Sequence, residues 1–154
     1  MWVIEFFHVL FGILWIGLLY FFNLIQVQSM PKMTEAGAAK PYTQIIASRA
    51  LFFFRHSAWL TVVSGLVYYV AGRGTVEGIP GGPIMIGMTL GVIMAFNVWV
   101  IIWPNQKKII AGALEGDALA KAKKNAFLAS RTNAWLSLPM LACMVAANHG
   151  GFAF

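Results

Sequence analysis

The stretch WVIEFFHVLFGILWIGLLYFFNLIQV, residues 2–27, decides the fold. It contains one carboxylate, Glu5, and no lysine or arginine. A helix of roughly 20 apolar residues crosses the roughly 30 Å of hydrocarbon in a bilayer. A lone strand in lipid would leave its backbone groups unpaired at several kcal/mol each, so the run must be helical. It has no basic leader and is too long for a signal-peptide core, which makes it a retained span.

The rest of the chain agrees with that first run. Of its 154 residues, 60% are hydrophobic and 10% charged, with mean hydropathy +0.75; an ordinary soluble domain has roughly 45–50% apolar and about 25% charged residues. Three further apolar runs, 51–71, 83–103 and 126–147, bring the expected spans to four. The expected fold is therefore an all-α, four-transmembrane-helix bundle forming one domain, 1–154. Segment 41–54, with Ile45, Ile46, Leu51 and Phe52 apolar and Lys40, Arg49 and Arg55 basic, reads as an amphipathic helix lying along the interface before the second span. Segment 111–125, rich in Ala and Lys, suits a helical continuation of the third or fourth span.

Ten of the eleven basic residues fall on one side, eight between the first and second or third and fourth runs and two, Arg55 and Arg131, just inside the second and fourth. The loop between the second and third has only Arg73, balanced by Glu77. The positive-inside rule puts the basic loops in the cytoplasm and both termini outside. Gly72, Gly74, Gly78, Pro80, Gly81 and Gly82 give a tight outer turn, and Pro83 suits a first helical position. The net charge of +6 is scattered among short loops, where lipid headgroups are the expected partner and nucleic acid is not. The single cysteine, Cys143, excludes an intrachain disulfide and a CxxC or CxxCH site. No P-loop, dinucleotide fingerprint or nucleophilic triad is present.

Polar side chains within apolar spans carry the functional reading. On the first span His8, Gly12, Trp15, Leu19, Asn23 and Gln26 recur at steps of three and four and share one stripe, which faces protein. On the fourth, Arg131, Trp135, Leu138, Ala142, Ala146 and His149 form a similar stripe. Paired imidazoles projecting from two helices are a common way to hold b-type haem, which makes His8 and His149 candidate iron ligands. The alternative is that His8 bonds a neighbouring carbonyl and His149 reaches the headgroups. Arg55 and His56 suit a lipid phosphate or quinone headgroup, or an interfacial pair satisfied by water and lipid. Met85, Met88, Met140 and Met144 raise Cu(I), which thioethers select, although Met also fills gaps in apolar packing. Arg131, with Asn133 and Asn97, is expected to pin spans three and four.

Three segments carry a resemblance: HVLFGILWIGLLYFFNLIQVQ from His8, NVWVIIWPNQKKII from Asn97, and SRTNAWLSLPMLACMVAANH from Ser130 to His149. Together they resemble the amino-terminal membrane domain of bacterial urate oxidases (urate hydroxylases). His8 and Trp15 match the first-helix pattern; Asn97, Trp103, Pro104 and Asn105 match the third; Ser130, Arg131, Asn133, Pro139 and His149 match the last. The resemblance implies a bacterial inner-membrane protein and adds weight to His8 and His149 as haem ligands. It counts Trp15 and Arg131 with them as cofactor-binding, and leaves Asn97, Asn105 and Asn133 as structural polar residues. Fused members of that family continue into a cytochrome c. No CxxCH segment follows here, so a short stand-alone member is expected, and urate oxidation by this polypeptide alone is not.

A weaker likeness links the His-bearing first helix to small haem-pathway and copper-resistance membrane proteins. The leading expectation is a small subunit that binds haem b and exchanges electrons with a partner oxidoreductase or cytochrome c. The alternatives are a non-catalytic subunit of a larger membrane enzyme, or of a homo-oligomer, and a copper- or quinone-binding protein.

Overall fold

The computed structural model describes residues 1–72 and 82–148. They form four helices: α1, Trp2–Glu35; α2, Ala39–Gly72; α3, Pro83–Ile110; and α4, Gly116–Asn148. Among the described residues there is no strand. The turn expected around Arg73, Gly74, Glu77 and Gly78 lies outside the described residues, as does His149.

Cross-helix contacts fix the arrangement. His8 meets Thr61 and Phe22 meets Phe54, so α1 and α2 run antiparallel. Tyr20 meets Ser137 and Asn23 meets Ser130, which sets α4 antiparallel to α1. Asn97 meets Asn133, closing α3 on α4, and Trp99 reaches Arg55, closing α3 on α2. The result is an up-down-up-down bundle with the α1–α2 and α3–α4 turns at one end.

Both turns close in the same way. Gly37 and Gly112 have φ of +68° and +64°, a conformation that costs glycine no Cβ clash. The following amides, Ala38 and Ala113, then bond back to the Met33 and Lys108 carbonyls at 2.8 and 3.1 Å. That is the Schellman ending, which satisfies carbonyls the helix cannot. Helix α4 starts at Gly116, so residues 116–125 of the Ala- and Lys-rich segment belong to the fourth helix and 111–115 form the turn before it.

Three of the four helices, α1, α2 and α3, are long and apolar enough to cross a membrane. The expectation of four is corrected here: α4 is long enough, at 33 residues, but Ser130, Arg131, Thr132, Asn133 and Ser137 dilute its hydropathy. The expected interfacial helix before the second span is corrected as well. Residues 39–72 form one continuous 34-residue helix, so the amphipathic segment is the lower part of α2. At about 1.5 Å per residue α1 and α2 are roughly 50 Å long, longer than the roughly 30 Å of hydrocarbon in a bilayer.

Three wide π-helical turns interrupt the α-helical pattern, at Phe21–Gln26, Thr43–Ala47 and Asn97–Ile102. Side-chain amides cover backbone carbonyls there: Asn23 donates to Leu19 at 2.9 Å and Asn105 to Ile101 at 2.7 Å. The third turn directly precedes Pro104, which lacks an amide and clashes with the preceding turn, so a wide turn relieves both problems. Trp15, Leu19, Phe54, Met94 and Val98 fill the centre, each under 2% exposed. Ile13, Leu24, Phe53, Val100 and Trp135 point outward, as lipid-facing side chains do.

Candidate functional site

The stripe expected on α1 faces inward. Trp15, Leu19 and Asn23 are buried, and His8, Gly12 and Gln26 are half-buried. His8 sits on α2: its Nδ1 donates to the Thr61 carbonyl at 2.9 Å. A backbone carbonyl can only accept, so Nδ1 carries the proton and a neutral ring has its lone pair on Nε2. Among the described residues Nε2 has no hydrogen-bond partner. Gly65 makes the seat, because a Cβ there would lie 2.6 Å from His8 Cε1 and 2.8 Å from Nδ1. Ser64 Oγ stands 3.5 Å from the same Nδ1.

This is how a metal-ligating imidazole is held, with one nitrogen tied to a carbonyl and the other presented. His8 could therefore serve as a metal ligand through Nε2, although its ring packs on α2 and not on α4. Two turns further along the stripe, Trp15 is 1% exposed and its indole N–H has no partner. Asn23 Oδ1 is the other buried orphan on this helix. Buried polar atoms are normally paired, so these two mark the α1 face as polar beyond its packing needs.

The inner face of α4 differs from the expected one. Trp135 and Leu138 are 68% and 53% exposed, and Arg131 and Ala142 are exposed too. The buried row is Ala122, Ala126, Ala129, Asn133, Ser137, Met140, Cys143 and Ala146, so among the described residues of the expected stripe only Ala146 is buried. The polar members of this row hold the bundle together. Asn97 Nδ2 donates to Asn133 Oδ1 at 2.8 Å, and Asn133 Nδ2 donates to the Met94 carbonyl at 2.9 Å. Ser137 donates to the Ala134 carbonyl and accepts from the Tyr20 hydroxyl at 2.9 Å. Asn23 Nδ2 donates to Ser130 Oγ, also at 2.9 Å.

Arg131 takes no part in this ladder. Its guanidinium lies 5.5 Å from the Phe127 ring on the outer surface, because the two residues are one turn apart on the outward side of α4. The pinning of α3 to α4 expected of Arg131 with the two asparagines is done by Asn97 and Asn133 alone.

Arg55 and His56 lie near the middle of α2, against α3. The Arg55 guanidinium stacks on Trp103 at 3.7 Å from the ring centroid and stands 5.2 Å from Phe52. Trp99 donates its indole N–H to the Arg55 carbonyl at 3.1 Å. His56 Nδ1 donates to the Phe52 carbonyl at 2.7 Å, and its ring lies between Phe52 and Trp99.

Of the methionines, Met85 is exposed, Met140 buried, and Met144 packs at Gly87 beside Cys143. Among the described residues no cluster of three or more His, Cys, Asp or Glu converges on a metal position. Sequence reasoning did not find Gly65, Ser130 or Tyr20 as contact residues. Ser130 and Ser137 stand at a seven-residue spacing around Asn133, a polar helical row that was available as a signal.

Comparison with curated proteins and with solved structures gives no match. The family model described as urate oxidase N-terminal matches residues 80–154. The match takes in α3, α4 and the Asn97–Asn133 clamp, while His8, Trp15, Arg55 and His56 lie before it. Across residues 80–154, then, this chain is similar to the urate oxidase N-terminal family, and the likeness rests on the segment that contains α3 and α4.

Proposed function

We propose that the chain is a small inner-membrane subunit that binds b-type haem and exchanges electrons with a partner oxidoreductase or cytochrome c. The single observation that supports this reading is the His8 imidazole, tied at Nδ1 to the Thr61 carbonyl and open at Nε2. In this proposal His8 and His149 would hold the haem iron. Thr61 fixes the tautomer and Gly65 provides the seat. When bound, the haem supplies a one-electron change at iron, with a potential set by its axial ligands and surroundings.

The basic turns at Gly37 and Gly112 face the cytoplasm in this reading, with both termini on the periplasmic side. Helix α4 packs along α3 with its polar row turned inward, which supports its entering the bilayer as α3's partner. The test is a pyridine-haemochrome assay and a reduced-minus-oxidised spectrum on purified full chain expressed with ample haem. A b-type band that disappears in both His8→Ala and His149→Ala supports the proposal; a colourless wild-type protein overturns it.

A second reading has one observation in its favour. The hydrogen bonds of Tyr20, Asn23, Asn97, Ser130, Asn133 and Ser137 run to one another or to backbone, as expected of a purely structural ladder. A non-catalytic subunit of a larger membrane enzyme or homo-oligomer predicts stable co-purification with its partner and no cofactor band.

A further inference from the structure

We infer that Arg55, with Trp99 and Trp103, forms a binding site for the phosphate of an anionic phospholipid on the outer α2–α3 surface. This site is independent of the His8 proposal. Arginine cannot shed its charge, and inside an apolar helix it is costly unless paired. Among the described residues Arg55 has no carboxylate partner, and its guanidinium N–H groups have no acceptor. It is nevertheless held in place: one face lies 3.7 Å from the Trp103 ring centroid, and Trp99 ties the Arg55 backbone carbonyl. Stacking occupies the face of the guanidinium and leaves its edge donors free for a planar fork onto phosphate oxygens.

Position selects the ligand. Trp103 stands two turns before the end of α3, about 10 Å along its axis, and Lys107 is one turn beyond it. The site is therefore near the basic end of the bundle, at headgroup depth, where anionic lipids are attracted. Phe52, Phe53 and Trp99 are exposed around it, so acyl chains would meet apolar surface. A quinone is the poorer fit. Neutral His56 has its N–H on the Phe52 carbonyl, which leaves no imidazole donor for a quinone carbonyl.

Native mass spectrometry on detergent-purified full chain tests the site, with phosphatidylglycerol, phosphatidylcholine, inorganic phosphate and a short-chain quinone as probes. Preferential phosphatidylglycerol binding is expected, weakened about tenfold by Arg55→Gln, as for loss of a charge-assisted bidentate contact. Lys123→Gln, which removes an exposed charge on α4, is expected to leave the affinity within about twofold. Unchanged phosphatidylglycerol binding in Arg55→Gln overturns the inference, as does equal binding of phosphatidylcholine. Displacement of the lipid by inorganic phosphate at equal concentration assigns the site to free phosphate and overturns the lipid assignment. Arg55-dependent quinone binding without a preference for phosphatidylglycerol overturns it too. If Arg55→Gln does not fold, Trp103→Leu keeps the charge and removes its bed; it is expected to weaken binding, and unchanged affinity there overturns the inference.

Discussion

His8 and Asn133 are the two residues whose surroundings make the sharpest demands. The His8 ring occupies the space a Cβ on Gly65 would need, 2.6 Å from Cε1. Gly65→Ala is therefore expected to displace the imidazole, lower haem content and cost about 1–3 kcal/mol, as overpacking does. Gly17→Ala is the control, since nothing lies within 4 Å of a Cβ there; haem content and reversible unfolding in micelles report both. Asn133 is fully buried and bonds both Asn97 and the Met94 carbonyl. Asn133→Ala is expected to cost about 1–2 kcal/mol, near the upper end for interhelical bonds in membranes. Adding Asn97→Ala to it should cost little more, because the shared bond is already gone. Both asparagines were legible as structural from sequence, since an amide in an apolar run needs a partner. The partner was not, because Arg131 lies at nearly the same height on α4 but on its opposite face.

At the scale of elements, α1 was read well and α4 poorly, for a reason in their composition. On α1 the polar residues from His8 to Gln26 fall on one stripe with Gly12, amid large apolar ones, so the period has a single phase. On α4 small and polar residues lie on both sides: Ala142 and Arg131 point out, while Ala126 and Ser137 point in. With two stripes of similar composition, the phase had to be set by partners that are remote in sequence, Tyr20, Asn23 and Asn97. A volume test reads that phase directly. Ala126→Leu, at a site 1% exposed, is expected to destabilise by about 1–3 kcal/mol, and Ala142→Leu on the outer face to have little effect, both followed by micelle unfolding. The lower part of α2 was misread because a half-polar helix end has the same periodicity whether it lies on a membrane surface or projects from a span.

For the molecule as a whole, lipid-facing apolar surface gains little from helix association, so packing and polar contacts must specify the bundle. The ladder from Asn23 through Asn133 to Ser137 does this, and the family match covers the α3 and α4 side of it. The opposite half carries His8, whose hydrogen bonding suits ligation and whose helix lies before the matched residues. The all-helical class and antiparallel order followed from hydropathy and loop charge, the count of four spans did not hold, and the His8 seat required Gly65, 57 residues away. The most direct measurement is the absorption spectrum of purified full-length His8→Gly with and without added imidazole. The account predicts loss of the haem b band in the variant and its return when imidazole occupies the vacated ligand position. A His8→Gly spectrum identical to that of a haem-loaded wild type, or a wild type with no haem at all, would contradict it.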